Sequence, residues 1–243
     1  MSDATDAVIW HDLECGGYRE DLAVWLALAA EQGGPILEIG AGTGRVALQL
    51  ARAGYELLAL DLDARLLAEL DRRATSLPLV TIRADARNFS IPDRSFPLII
   101  VPMQTIQLLG GEPGRAAFLE AARRHLRPGG TLAVALTEDL EEFEWRDGDA
   151  EPIPDIVELD GAVYCSQPTA IRRQGAGFVL ERARETVHPS GERATTEDRV
   201  ALDSLSSERL LREAPGAGLR GIATRRIPPT WEHVGSEVVM LGA

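Results

Sequence analysis

Short apolar runs alternate with segments of helical periodicity over the first half of this chain. The runs are 36–39, 56–61, 79–83, 98–101 and 131–136, and the periodic segments among them are 44–53, 64–74 and 114–126. A short run without polar alternation predicts a strand buried on both faces. Such strands alternating with helices predict a parallel sheet covered on both sides. Ahead of them, residues 7–32 carry Trp10, Leu13, Leu22, Trp25, Leu26 and Leu28 and are interrupted at Gly16-Gly17, which predicts one or two helices capping the sheet.

After residue 137 the pattern changes. Residues 138–151 hold Glu138, Asp139, Glu141, Glu142, Glu144, Asp147, Asp149 and Glu151, a charge run expected in a solvated linker or lid. Beyond it, Gly175-Ala176-Gly177 and Pro189-Ser190-Gly191 separate three extended segments, 161–173, 178–187 and 193–203, which predict an antiparallel meander; 180–184 also fits a helix. A helix over 206–214 capped by Ser206, then strands over 219–227 and 237–241, close the chain. The fold class expected is α/β, a doubly wound Rossmann-like sheet. An N-terminal helical cap is expected at 1–34, the core at 35–137 and 204–243, and an acidic linker plus β-meander insertion at 138–203.

Composition narrows the function. With 45% apolar and 26% charged residues the chain reads as an ordinary soluble globular protein. No apolar run reaches the ~18 residues of a membrane span. The first residues, Met1 to Asp6, are acidic without an apolar stretch, so no secretory signal is expected and a cytoplasmic protein is the default. The net charge of −13 disfavours a nucleic-acid partner and tilts the expected small-molecule substrate towards a neutral or cationic one. Cys15 and Cys165 stand far apart and the four histidines lack paired spacing, so neither a disulfide framework nor a metal site is expected. All 25 basic residues are arginine, which excludes lysine Schiff-base chemistry.

The first apolar run ends in Glu38-Ile39-Gly40-Ala41-Gly42-Thr43-Gly44. Strand, glycine turn and helix start together predict a nucleotide-type site. A dinucleotide frame fails from Gly40, where the sixth position is Arg45, and passes from Gly42 as Gly42, Gly44 and Ala47 with Asp61 following. Glu38 separates the readings. An acid at the strand end suits a cationic ligand group and repels a pyrophosphate. Asp85, after the third run, offers a second acid to a purine amino group. A ligand with ribose, adenine and an ammonium but no phosphate fits S-adenosylmethionine.

With Asp61 ending the second run, Ala84-Asp85-Ala86 after the third and Leu126-Arg127-Pro128-Gly129-Gly130 before the fifth, the chain resembles the class I S-adenosylmethionine-dependent methyltransferases of small-molecule type. The resemblance covers 18–136 well and 204–241 loosely. It implies a seven-stranded sheet of order 3-2-1-4-5-7-6 with the last strand antiparallel. By position it implies that Gly40, Ala41, Gly42 and Gly44 form the loop that lets the backbone approach the cofactor, with Glu38 on the ammonium side. Asp61 would take the ribose hydroxyls with Leu62 against adenine, and Asp85 and Ala86 the adenine amino end. Met103 and Gln104 would lie near the sulfonium, under an aromatic cap residue, Tyr18. Where members often have Phe-Asp before the fourth strand, this chain has Phe96-Pro97.

The reaction expected is methyl transfer to a nitrogen or oxygen of a small molecule, without a metal. A sulfonium methyl is already activated, so the protein aligns the acceptor and excludes water. Substrate groups are expected on loops at the strand C-terminal ends. His233 and Gln104 are the catalytic choices, with His11 second; Gln107, Tyr164 and Trp231 are the substrate choices. The insertion is expected to be a lid or a homodimer surface. Two other readings stay open, an NAD(P)-dependent oxidoreductase and a non-catalytic S-adenosylmethionine-binding module.

Overall fold

A computed structural model describes residues 3–138, 140–146, 148–149 and 151–243. Asp139 and Asp147 of the acidic run, and Met1 and Ser2, lie outside the described residues. The chain opens with two helices, α1 (Asp3–Cys15) and α2 (Leu22–Gln32), parted at Gly16-Gly17 as the sequence predicts. Parallel strands follow: β1 (Ile36–Ile39), β2 (Leu57–Asp61), β3 (Leu79–Arg83), β4 (Phe96–Val101) and β5 (Leu126–Leu136). Helices α3 (Ala47–Arg52), α4 (Ala64–Arg73) and α5 (Gly111–His125) lie among them.

The insertion contributes β6 (Phe143–Glu144), β7 (Asp155–Leu159), β8 (Ala162–Gln174), β9 (Gly177–Val187) and β10 (Arg193–Asp203). Then come α6 (Ser207–Glu213), β11 (Arg220–Ile227) and β12 (Ser236–Gly242). The main sheet runs β3-β2-β1-β4-β5-β12-β11, with β12 antiparallel to both neighbours, the order that the resemblance implies. The insertion forms a second sheet, β10-β9-β8-β6, with β7 also paired to β8.

Alternation on the central strands sorts the core into two layers. Ile36, Leu98, Ile100, Ala133 and Val238 face α2 and α3 with Trp25, Leu28 and Leu50, while Leu37, Ile39, Ile99, Val134 and Val239 face α5 and α6 with Phe118, Leu119 and Leu210. Every residue of β4 is buried, as a central parallel strand requires.

Four local readings change. Helix α3 starts at Ala47 rather than 44, because Gly42 and Gly44 hold φ of 53° and 93° and keep the chain in turns through 46. Leu126–Gly130 does not precede β5 but belongs to it, with 127–130 as a bulge: Phe96 pairs with Leu126 and Leu98 with Thr131, so four residues oppose Pro97, which has no N–H to give. The meander has the hairpin strand β7 before its first expected strand. Its two-residue turn, Asp160-Gly161, has φ of 53° and 76°, the signature of a type I′ turn and readable from the Asp-Gly pair. Residues 180–184 are strand, because β9 is paired along its length on both sides. Among the described residues no helix is long and apolar enough to cross a membrane.

Candidate functional site

The C-terminal tips of β1, β2 and β4 and the segment after β3 meet around a cavity of about 550 Å³. Its floor is the turn after β1. Gly40 and Ala41 both donate N–H bonds to the Leu60 carbonyl, at 2.8 and 3.0 Å, which ties the turn to β2. The Gly42 N–H donates to Asp61 Oδ2 at 2.8 Å, and the Asp63 N–H to Asp61 Oδ1 at 2.9 Å. Asp61 is therefore the clasp of the loop as well as a cavity wall.

Glu38 is 2% exposed, between Ala59 and Ile100 of the flanking strands. Its Oε2 is buried and has no hydrogen-bond partner among the described residues. Burial pushes its carboxyl up to about 8, against the pull of the nearby Arg45 guanidinium. Arg45 makes no hydrogen bond to it among the described residues, its two Nη atoms binding Asp21 at 2.6 and 2.7 Å. Asp21 also accepts from Trp25 Nε1 at 2.8 Å, so this buried pair is locked beneath the loop.

Around the floor stand Asp61 and Leu62 at β2, Asp85, Ala86 and Arg87 after β3, and Met103, Gln104 and Thr105 after β4. Arg87 grips Asp85 through Nε and Nη2 and holds its carboxyl below the usual range. Met103 has φ of 55°, a left-handed conformation uncommon for a residue with a side chain, at the point where the chain crosses the cavity.

Helix α1 is the roof. His11, Glu14 and Cys15 face the cavity. Asp12 accepts from Thr43 Oγ1 at 2.6 Å and is ion-paired with Arg73 of α4. Burial alone would raise the Asp12 carboxyl, but its bonds to His11, Arg73 and Thr43 together hold it below the usual carboxylate range. On the other side Glu14 accepts from Arg184 at 2.7 and 2.6 Å and from Ser166 Oγ at 2.7 Å, and Trp10 meets Tyr164 edge-on at 5.5 Å. The roof is thus pinned to the glycine turn and α4 on one side and to the second sheet on the other. Burial pushes the Cys15 thiol up to about 11, so it is no thiolate nucleophile at neutral pH. The wall opposite the glycine turn comes from the meander, with Leu180 and Arg182 of β9 and Val200 and Leu202 of β10.

The cavity brings together Glu38, Gly40, Ala41, Asp61, Leu62, Asp85, Ala86, Met103 and Gln104. The structure places the other expected residues elsewhere, each for a visible reason. A Cβ on Gly42 would fall 2.4 Å from His11 Nε2, and one on Gly44 2.3 Å from Leu70, so these glycines make room for protein packing. Tyr18 packs its ring on His233 at 5.1 Å, with the Arg45 guanidinium 5.2 Å from the ring centre. Gln107 is buried and fully used: it bonds the Thr137 N–H and carbonyl and the Asp203 carbonyl, joining the core to the root of the insertion. Tyr164 is buried under Trp10, and Trp231 is 81% exposed. His233 faces Glu20 at 3.5 Å because its loop folds back on itself, Thr230 N–H to the His233 carbonyl at 2.9 Å, away from the cavity.

Residues 36–130 match a family profile described as a methyltransferase domain. The chain is similar to a cypemycin N-terminal methyltransferase of a Streptomyces species, 28% identical over 67% of this chain and 66% of that protein. It is similar to a demethylmenaquinone methyltransferase of Tropheryma whipplei, 31% identical over 44% of this chain and 43% of that protein. It spans less than two thirds of the length of these curated relatives. Among solved structures it is similar to the CcbJ methyltransferase of Streptomyces caelestis, with TM-score 0.72 and 22% identity over 100% of this chain and 98% of that one. A second is CalS10, an amino pentose methyltransferase of Micromonospora echinaspora solved with S-adenosylmethionine bound, with TM-score 0.71 and 19% identity over 96% of each chain. These last two likenesses are of fold. Residues 36–130 therefore carry the likeness to a methyltransferase domain, and the whole chain has the fold of these solved methyltransferases.

Proposed function

We propose that this protein transfers the methyl group of S-adenosylmethionine to a nitrogen or oxygen of a small molecule. The observation that carries the reading is Glu38, a buried carboxyl with an unpartnered oxygen on the floor of the cavity. A buried polar atom of this kind costs free energy until something pairs it. An ammonium does so, and a pyrophosphate does not. The Gly42 N–H that a dinucleotide phosphate would need is already given to Asp61. The residues therefore fit S-adenosylmethionine and not NAD.

In this reading Glu38 takes the ammonium, the Gly40–Ala41 backbone lies along the ligand, and the remaining lone pairs of Asp61 take the ribose hydroxyls. Leu62 and Ala86 flank adenine, and Asp85 takes its amino group. When bound, the cofactor supplies a methyl on a sulfonium for in-line displacement by the acceptor atom. Met103 and Gln104 follow β4 and line the cavity, which supports Gln104 as the residue that orients the acceptor. His11 of the roof lines the cavity, with Nδ1 3.3 Å from Thr43 Oγ1, and is the histidine this reading assigns to the acceptor's proton. Residues 1–34 then act as the roof, 35–137 and 204–243 as the cofactor domain, and 138–203 as the acceptor wall.

Calorimetry with S-adenosylhomocysteine and NAD tests the reading. S-adenosylhomocysteine is expected to bind and NAD not to; the reverse pattern overturns it. Asp61→Ala removes two loop bonds and the ribose acceptor together, and is expected to weaken S-adenosylhomocysteine more than tenfold. Affinity within twofold of the parent counts against the assignment.

A further inference from the structure

The cavity holds three guanidinium groups, and two are spent. Arg45 is committed to Asp21 through both Nη atoms, and Arg87 to Asp85 through Nε and Nη2. Arg182 differs. Its Nη1 donates to Asp155 Oδ2 at 3.1 Å and to Ser166 Oγ at 3.4 Å. Its Nε and Nη2 have no partner among the described residues, although the side chain is 22% exposed. Those two atoms form the edge of a guanidinium that grips two oxygens of one anion side by side.

The neighbours decide which way that edge is useful. Leu180 precedes Arg182 by two residues on the same face of β9, and Val200 pairs with Leu180 across to β10. These side chains and Leu202 make the wall apolar and weaken screening of any charge placed against Arg182. Of the acids nearby, Glu14 is held by Arg184 through both oxygens, and Asp198, opposite Arg182 on β10, is held by Arg184 through Oδ1 at 2.8 Å, its buried Oδ2 having no partner among the described residues. Asp155, the single carboxylate ion-paired with Arg182 among the described residues, is 46% exposed.

We propose that Arg182 reads an anionic oxygen group on the methyl acceptor, so that the acceptor is a small, largely apolar molecule carrying a carboxylate or a phosphate. This rests on the methyltransferase reading and adds the chemical class of the acceptor. The chain's overall charge of −13 does not oppose it. Surface charges are screened over about 8 Å at physiological ionic strength, whereas Arg182 would touch its ligand.

Four probes that share one ring test the proposal on the full chain saturated with S-adenosylhomocysteine: benzoate, phenyl phosphate, benzamide and benzylamine, followed by saturation-transfer NMR. An anionic probe is expected to bind at least tenfold more tightly than benzamide and benzylamine, and whichever of benzoate and phenyl phosphate is tighter names the group. Arg182→Gln is expected to bring all four within twofold of one another, and Arg182→Lys to keep part of the preference. Equal binding, a preference for benzylamine, no binding of any probe, or a preference that survives Arg182→Gln overturns the assignment. Failure of S-adenosylhomocysteine itself to bind the parent is a separate result and sinks the methyltransferase reading.

Discussion

Glu38 makes the behaviour of the cavity depend on pH. Its carboxyl is raised from 4.5 to about 8, so between those values the folded chain keeps a proton that the unfolded chain gives up. Stability of the ligand-free protein therefore falls as pH rises through that window, by about 1.4 kcal/mol for each pH unit that separates the two states. Glu38→Gln removes the titration while keeping the shape. Its stability relative to the parent is expected to rise by a few kcal/mol between pH 5 and pH 8.5 in urea unfolding, and a constant difference would rule out a protonated Glu38. An ammonium placed on Glu38 reverses the shift, so S-adenosylhomocysteine binding at pH 7 is expected to release about one proton, read from calorimetry in buffers of different ionisation heat. Glu38, Asp61 and Asp85 were legible in the sequence because each sits at or just past the end of an apolar run, where topology dictates that a ligand lies. Arg182 was not. Alternation on a meander strand defines two faces without saying which one meets the core, and only the docking of the insertion chooses.

Among the elements, α1 decides whether the cavity is closed. It touches the core through Asp12 with Thr43 and Arg73, and the insertion through Glu14 with Arg184 and Ser166. Burial works against the Glu14 carboxylate, but its bonds to Arg184 and Ser166 hold it below the usual range, so the pair is intact at neutral pH. Glu14→Gln is expected to cost about 1–3 kcal/mol. The loss should appear as faster hydrogen exchange in α1 with little change in the strands of the main sheet. Uniform loss of protection throughout the chain would show instead that α1 is part of the global unfolding unit. The order and direction of the main-sheet strands were readable from periodicity and resemblance together. The positions of His233, Trp231 and Gln107 were not, since a strand end gives the face on which a loop emerges but not where its own hydrogen bonds turn it. Gln107 shows the same limit from the inside: a glutamine that looks available in sequence is consumed by three backbone bonds.

At the scale of the whole molecule, two sheets share one cavity and are held together by a few buried polar braces. Arg115 is 1% exposed and reaches from α5 to Asp203 at the end of the insertion and to Glu213 of α6, while Gln107 ties the same end of the insertion to the last residue before the acidic run's start. A buried arginine left unpaired costs several kcal/mol, so these braces disfavour any state in which the insertion swings away from a folded core. Core and insertion should then unfold as one unit, and a ligand on the core side should stabilise both. S-adenosylhomocysteine at a hundred times its dissociation constant adds about 2.7 kcal/mol to a folded state that alone binds it. For a chain of this size that corresponds to a rise in Tm of about 5–10 °C. A single calorimetric transition displaced as a whole is the expected outcome. Two transitions, of which S-adenosylhomocysteine moves one, would show that residues 138–203 fold independently and that the meander wall is not built into the cofactor site.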